Sequence, residues 1–414
     1  MQKQKDGHFL DDLDFNIFKI KANDANGMLL TLYENPDKIG EATTYTTDWG
    51  DGTVDNNTSH TYSTVGTYTI KTKLQPGSSD NNNNITECLS IRKDITSMKN
   101  FFKNAKALVK CCSIPDTILN VEYAFSNCTS FNQEVIIPPN VTSMYGTFEG
   151  CTALNSNIII PDGVVNMSDT FWKCSSFNQN IKLPSQLKNM YCTFQASGMN
   201  QQIIIPDGVI NMCGAFQECS SFNQLITIPD SVTRLDMTFH SCTNLNQPIV
   251  IPKNVTNMER IFYNCISFNQ PIEIPQSMKN MYCAFQEATS FNQDIEIPSG
   301  IETIYGLLHS VGNSYNSLIT LNFDIKDSLN NNTKRDPIAV RLFTHNSSAN
   351  RIKICGGINN NSFKILLSQL SNSTTIDIRE LSEANTNSII NDSEIMNAIN
   401  TGIGGTSHTL LYNE

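Results

Sequence analysis

Thirteen cysteines are the side chains with the most chemical reach in this 414-residue chain, and six of them keep a strict spacing. Cys128, Cys151 and Cys174 stand 23 residues apart, as do Cys219, Cys242 and Cys265. Cysteines can ligate a soft metal or pair into disulfides, but the spacing argues against both. No C-x-x-C and no histidine pair accompanies them, and the six histidines are scattered, so no metal site is expected. Equivalent residues in stacked turns send their side chains the same way, which keeps the sulfurs from facing each other as a disulfide requires. Each reads as a small buried apolar residue, and so many unpaired thiols suit a reducing compartment.

Other reactive groups are sparse. Asp48 and Asp51 offer carboxylates around Trp49-Gly50-Asp51-Gly52, but the full ligand spacing of an EF-hand calcium loop is missing. His60, beside Tyr62, is expected to be structural, and Gly356-Gly357 reads as a plain turn. No G-x-S-x-G, H-E-x-x-H, Walker A or dinucleotide fingerprint occurs. The expectation is therefore a protein that is not an enzyme and carries no cofactor. With 28 basic against 39 acidic residues the net charge is -11, and no basic cluster speaks for nucleic acid. No apolar run reaches the roughly 18 residues of a membrane span. The opening Met1-Gln2-Lys3-Gln4-Lys5-Asp6-Gly7-His8 leads into acidic residues rather than an apolar secretion segment.

What must position the cysteines is a repeat. Between Ile91 and Pro298 the unit I-P-x-x-V-x-N-M-x-x-x-F-x-x-C-x-S-F-N-Q-x-I-x-I returns nearly every 23 residues. Counted from the proline, units begin at Pro115, Pro138, Pro161, Pro184, Pro206, Pro229, Pro252 and Pro275. A unit at Arg92 lacks the proline, and Pro298 opens a degraded copy. A fixed period of this length means a solenoid, because one unit cannot bury its own apolar face. The β-branched runs, such as Ile158-Ile159-Ile160 and Ile203-Ile204-Ile205, read as short strands ended by proline. Stacked coils would place them about 4.8 Å apart in a parallel sheet.

Offset 10 is always phenylalanine: Phe125, Phe148, Phe171, Phe194, Phe216, Phe239, Phe262 and Phe285. Rings at one coil spacing can stack. Offset 17 carries Asn132, Asn155, Asn178, Asn223, Asn246, Asn269 and Asn292, with Asn200 one place early. Buried asparagines at a corner can serve backbone groups that no strand reaches. The unit from Pro184 is one residue short and lacks the cysteine around Gln195-Ala196-Ser197-Gly198-Met199, so a local kink is expected there. If the pleat alternates, the middle residues of the strands face outward: Ile136, Ile159, Lys182, Ile204, Thr227, Val250, Glu273 and Glu296. That row is either a contact surface or a face covered by another part of the chain or a second copy. Tyr145, Tyr191, Tyr282 and Tyr305 supply a second candidate strip.

Over residues 92 to 300 the pattern I-x-I-P-x-x-V-x-x-M-x-x-x-F-x-x-C-x-x-F resembles the BspA-like (Treponema-type) leucine-rich repeat. It is most similar to the mycoplasma surface-protein variant with its S-F-N-Q signature. That resemblance implies a non-enzymatic display or adhesion solenoid. Upstream, Asp48-Trp49-Gly50-Asp51-Gly52-Thr53, His60-Thr61-Tyr62 and Gly66-Thr67-Tyr68-Thr69-Ile70 resemble the PKD domain, an immunoglobulin-like β-sandwich that serves as spacer or binding module. The stretch is short for that family, so a strand can be missing.

The expected organisation is mainly β with some α. Residues 1–76 form the PKD-like sandwich, 77–90 a linker, 91–300 a solenoid of about nine coils, and 301–414 a C-terminal cap or small α/β domain. In the tail, apolar and amphipathic runs alternate at Leu318 to Ile325, Ala339 to Phe343, Arg351 to Ile354, Phe363 to Leu370, Thr374 to Ile378, Asp392 to Asn400 and Thr409 to Tyr412. Their order suggests parallel strands joined by helical crossovers. Surface-type modules without an export segment fit a phage virion component, a head or tail fibre folded in the cytoplasm. A bacterial cell-surface adhesin is the alternative, and an enzyme acting on carbohydrate with these modules as accessories is a third. Protein, on a virion or host surface, or glycan is the expected partner, and a homo-oligomer is open.

Overall fold

A computed structural model describes residues 14–23, 28–35, 46–76, 83–311, 317–322, 351–355, 358, 360–368, 374–401 and 407–412. The expectations for residues 1 to 8, for the glycine- and serine-rich part of the linker, for Ala339 to Phe343 and for Gly356-Gly357 lie outside the described residues. The chain divides into two compact units, Met1–Gly208 and Val209–Glu414.

In the first unit the strands are β1 Asn16–Ala22, β2 Met28–Thr31, β3 Thr47–Asp48, β4 Val54–Asp55, β5 Ser59–Tyr62, β6 Gly66–Thr72, β7 Ile85–Ser90, β8 Lys110–Cys111, β9 Val135–Ile136 and β10 Ile158–Ile159. Six of them form one sheet in the order β4-β3-β6-β1-β7-β8, and β2 pairs separately with β5. β1 is antiparallel to both β6 and β7, whereas β7 and β8 run parallel, with Cys88 opposite Cys111. Residues 85–90, assigned to the linker from sequence, are thus a strand. The asparagine run before them hid a short strand in which only Ile85 and Cys88, three residues apart, are buried, so no alternation marked it.

The W-G-D-G-T and H-T-Y residues converge. The Tyr62 hydroxyl donates to the Trp49 carbonyl at 2.9 Å, and Trp49 Nε1 donates to Asp55 at 2.9 Å. His60 stacks on Trp49 with centroids 5.1 Å apart and lies 2.7 Å from Asp51 Oδ2. The other carboxylate oxygen of Asp51 accepts from the Thr53 N–H, and Asp48 accepts from Gly50. Gly50 has φ +79°, and a Cβ there would stand 2.4 Å from the Thr69 carbonyl, so only glycine fits. Phe18 of β1 meets the rings of Phe101 and Phe102 at 6.1 and 6.0 Å, which ties this sheet to the first coil.

The coils are held together mainly by turns, and this corrects the parallel-sheet expectation. Among the described residues, strands form at the I-x-I position only in β9 and β10 and, in the second unit, at Ile295–Ile297. Three residues ended by proline leave too few N–H groups for a long ladder. Most inter-coil hydrogen bonds run instead through residues 6 to 12 of each unit. In the Pro138 coil, the N–H groups of Met144, Gly146, Phe148 and Gly150 reach the next coil's Asn166, Ser168, Thr170 and Trp172 carbonyls at 2.7–3.0 Å. The intervening Thr147, Glu149 and Cys151 N–H groups turn back three residues to their own coil. Alternate donors therefore serve the stack and the turn, and few backbone groups go unpaired. The path needs a left-handed residue at offsets 8 and 12 of each coil, such as Gly146 (φ 59) and Gly150 (φ 71), or Asp169 (φ 53) and Lys173 (φ 59). No residue type marks these positions, so the sequence did not reveal them.

Inside the coils the phenylalanines form a stack. Phe125, Phe148, Phe171 and Phe194 follow each other at centroid distances of 5.4, 5.9 and 5.6 Å, all fully buried. In the short coil Ser197 takes the cysteine position and is buried, while Met199 fills the core beyond it. Gly198 passes so close to the previous coil that a Cβ would meet the Ser175 carbonyl at 2.6 Å.

In the second unit Phe216, Phe239, Phe262 and Phe285 stack at 5.9, 5.9 and 5.4 Å. β11 Ile295–Ile297 then opens a five-stranded sheet with β12 Leu318–Leu321, β13 Arg351–Ile354, β14 Thr375–Asp377 and β15 Thr409–Leu411, all parallel and in chain order. Helix α1 Asn360–Ser368 lies between β13 and β14, and α2 Glu383–Ile390 and α3 Ser393–Thr401 lie between β14 and β15. Phe363, Leu366, Ile389, Ile395 and Ile399 turn inward from these helices.

Candidate binding surface

The middle of each I-x-I run points into solvent. In the first unit Ile136 is 61 %, Ile159 44 % and Ile204 84 % exposed, and Lys182 is exposed with its ammonium 3.5 Å from Asp162. Their neighbours Val135, Ile137, Ile158, Ile181, Leu183, Ile203 and Ile205 are buried, so the outward turn follows from alternation. In the second unit Thr227, Val250, Glu273 and Glu296 are exposed, Val250 by 79 %, and Glu296 accepts from Asn322 at 2.7 Å. A further outward position, four residues after the proline, carries Leu119 and Val165 in the first unit and Ile210 in the second.

The tyrosines form a separate feature. Tyr145 meets Tyr123 edge-on at 5.0 Å, and Lys103 lies 4.6 Å above the Tyr123 ring. Tyr191 is exposed. Near Tyr145, burial and then the charge of Glu149 lift the Asp169 carboxyl to about 6, against the pull of a hydrogen bond from Tyr145. In the second unit Tyr282 stacks on Tyr305 at 5.4 Å, with Arg260 5.1 Å above the Tyr282 ring.

The offset-17 asparagines act between coils. Asn155 N–H donates to Asn132 Oδ1 at 2.8 Å, Asn178 to Asn155 at 2.9 Å and Asn200 to Asn178 at 2.8 Å. Asn246, Asn269 and Asn292 donate in the same way to Asn223, Asn246 and Asn269 at 2.8–2.9 Å. The sequence reading placed them in the interior, yet they are exposed or half-buried. The carboxamide stands at the rim of the corner, where it supplies an acceptor without needing full burial. A second asparagine row, missed from sequence, sits at the N of N-M. Asn120, Asn166, Asn189, Asn211, Asn257 and Asn280 each accept from the N–H two residues on at 2.9–3.1 Å.

The spaced cysteines are fully buried, but they are more than small apolar fillers. The thiols of Cys128, Cys151, Cys174, Cys242 and Cys265 donate to the carbonyls of Phe102, Phe125, Phe148, Phe216 and Phe239 at 2.9–3.1 Å. A different cysteine group escaped the sequence reading. Cys88, Cys111 and Cys112 converge with their sulfurs within 4.8 Å of one another. Hydrogen bonds from Cys111 and Cys88 hold the Cys112 thiol below the ordinary range, while burial pushes Cys88 up. Beside them is a cavity of about 350 Å³ lined by Cys111, Cys112, Asp116, Gln133, Glu134 and Ile136, among others. The missed signal was the spacing: Cys88 precedes Cys111 by the repeat length of 23.

Stacked 23-residue coils with an inward phenylalanine, an asparagine corner and short I-x-I edges define a short-coil repeat solenoid as the class of this chain. Residues 96–207 and 188–297 match the model of a family described as Mycoplasma protein of unknown function, DUF285. Among solved structures, the chain is similar to a leucine-rich cell surface protein from Faecalibacterium prausnitzii at 20% identity, over 57% of this chain and 79% of that one, with a TM-score of 0.36. It is also similar to a leucine-rich-repeat protein from Bacteroides ovatus at 15% identity, over 79% and 94%, with a TM-score of 0.35. A third likeness is to a leucine-rich-repeat protein of T. pallidum at 20% identity, over 47% and 76%, with a TM-score of 0.28. No curated protein matches the chain.

Proposed function

We propose that this chain is a non-enzymatic binding protein of a bacterial cell surface that engages a protein partner through the outward I-x-I row. The observation that carries the reading is Ile204, 84 % exposed between the buried Ile203 and Ile205. Nothing in the fold requires isoleucine at that position, since the coils close through turns and inward residues. With Ile136 and Ile159 it gives the first unit a repeated apolar edge, and such edges mark contact surfaces. The match of residues 96–207 and 188–297 to a family described from mycoplasma supports a bacterial source over the phage virion that surface-type modules without an apolar opening segment, together with the unpaired thiols, had suggested. In this reading β1 to β7 act as the PKD-like spacer, and β12 to β15 with α1 to α3 cap the sheet begun by β11. Among the described residues, no helix is long and apolar enough to cross a membrane.

The test has two arms. Protease treatment of intact source cells should release peptides from residues 92–300, and their protection would remove the cell-surface assignment. The purified chain, parent and Ile159→Asp/Ile204→Asp, is then tested on panels of host extracellular proteins and on a glycan array. Binding to a protein that falls at least tenfold in the variant, with an unchanged melt, supports the row as the contact. Equal binding by both removes the row, and binding confined to glycans removes the protein partner.

A further inference from the structure

The coil at Arg92 departs from the repeat code where it meets β7, and the departure consists of cysteines. At offset 19 the following three coils carry Glu134, Asn157 and Asn180, and at offset 20 Val135, Ile158 and Ile181. Here those two positions are Cys111 and Cys112. The third thiol, Cys88, comes from β7, held beside them by the parallel pairing of Cys88 with Cys111 and by the Cys112 N–H donating to the Cys88 carbonyl at 3.0 Å. Backbone bonds make this junction, so the fold has no need of three sulfurs.

We infer that Cys88, Cys111 and Cys112 form a three-thiolate site for a thiophilic divalent metal ion, zinc being the ion whose geometry fits. Cys88 and Cys112 have their sulfurs 3.8 Å apart. The edge of a tetrahedron with metal–sulfur bonds of about 2.3 Å is about 3.8 Å long, so this pair already spans one edge. The Cys111 sulfur lies within 4.8 Å of both, so a change of its side-chain rotation would bring it to a third vertex. On binding, the three thiols release their protons to solvent and the ion takes three sulfur lone pairs. Cys111 and Cys112 line the cavity together with Asp116 and Glu134, so a carboxylate oxygen or a water there would complete the coordination of a bound ion. Gln133 positions the site without touching the metal. Its Oε1 accepts from the Cys111 N–H at 2.8 Å and its Nε2 donates to the Cys111 carbonyl at 2.7 Å.

The experiment uses the full chain, reduced with a phosphine, stripped with chelator and titrated anaerobically with cobalt(II), then zinc. Expected are one cobalt per chain, with sulfur-to-cobalt charge-transfer absorption, and its displacement by one zinc. Cys112→Ser should abolish that absorption, as should Cys88→Ser, whereas Cys174→Ser and Cys265→Ser should keep it. Gln133→Ala should weaken zinc about 10- to 100-fold at unchanged stoichiometry, as loss of an orienting partner does. If Cys88→Ser does not fold, zinc protection of Cys88 and Cys112 from alkylation in the parent, read by peptide mass spectrometry, takes its place. Absence of the charge-transfer band in the parent overturns the inference, as does its survival in Cys112→Ser. A Cys88–Cys112 disulfide that re-forms after reduction and blocks uptake overturns it too.

Discussion

The Cys174 thiol donates to the Phe148 carbonyl at 3.0 Å, across 26 residues of sequence. That carbonyl already accepts the Cys151 N–H at 3.0 Å, so the thiol occupies its second lone pair. The same pairing recurs from coil to coil within each unit, which explains why the repeat keeps cysteine where alanine or valine would also be small and apolar. Cys174→Ala removes a donor and leaves a sulfur-sized void, at a cost of about 1–2 kcal/mol. Cys355→Ala, at a half-exposed site, should stay within about 0.5 kcal/mol. Urea midpoints of the two variants make the comparison, and equal midpoints would deny the thiol its role.

Phe171 is fully buried and has three phenylalanine rings as neighbours. It lies 5.9 Å from Phe148, 5.6 Å from Phe194 and 4.3 Å from Phe177. Phe171→Ala should cost about 3–5 kcal/mol, because neighbouring coils fixed by backbone bonds cannot collapse into the gap. Phe171→Leu keeps most of the volume and should cost clearly less. A melt that separates the two variants by only a degree or so would show that the rings merely fill space.

These two ladders were readable because each is made by one residue type at one offset. Phenylalanine at offset 10 and cysteine at offset 13 announce themselves in the bare sequence. The turn path was hidden for the opposite reason. Its left-handed positions hold Tyr123, Gly146, Asp169 and Cys192 in successive coils, so backbone conformation is fixed there by the stack and not by residue identity. β7 was hidden by the asparagines before it, and the Cys88 cluster by a coil that had lost its proline. The exposed row was legible through alternation, but its parallel strands shrank to β9, β10 and β11 because proline follows each run.

Asn155 tests the corner. Its Oδ1 accepts from the Asn178 N–H at 2.9 Å and from Gln179 Nε2 at 3.0 Å. Since the site is open, water can replace part of what Asn155→Ala removes, and a loss of about 0.5–1 kcal/mol is expected. Asn155→Asp keeps the acceptor and should recover most of it. Amide exchange at Asn178 gives the direct reading: faster in the alanine variant, near parent in the aspartate.

Asp169 gives the chain a pH dependence with a definite sign. Its carboxyl is lifted from 3.8 to about 6, first by burial and then by Glu149. Between those values the folded chain holds a proton that the unfolded chain has released. Stability from this group is therefore fully present below pH 3.8 and is lost as pH rises through about 6. Asp169→Asn removes the ionisation, and asparagine tolerates the φ of 53 that this left-handed position imposes. The variant should be more stable than the parent at pH 7.5, by about 1 kcal/mol once solvent screening of a half-buried group is discounted. The difference should close as pH falls toward 4, where the parent is itself protonated. Urea midpoints across that range measure it. A gap of constant size at every pH would mean that shape or backbone strain, and not the buried charge, sets the cost of aspartate in this coil.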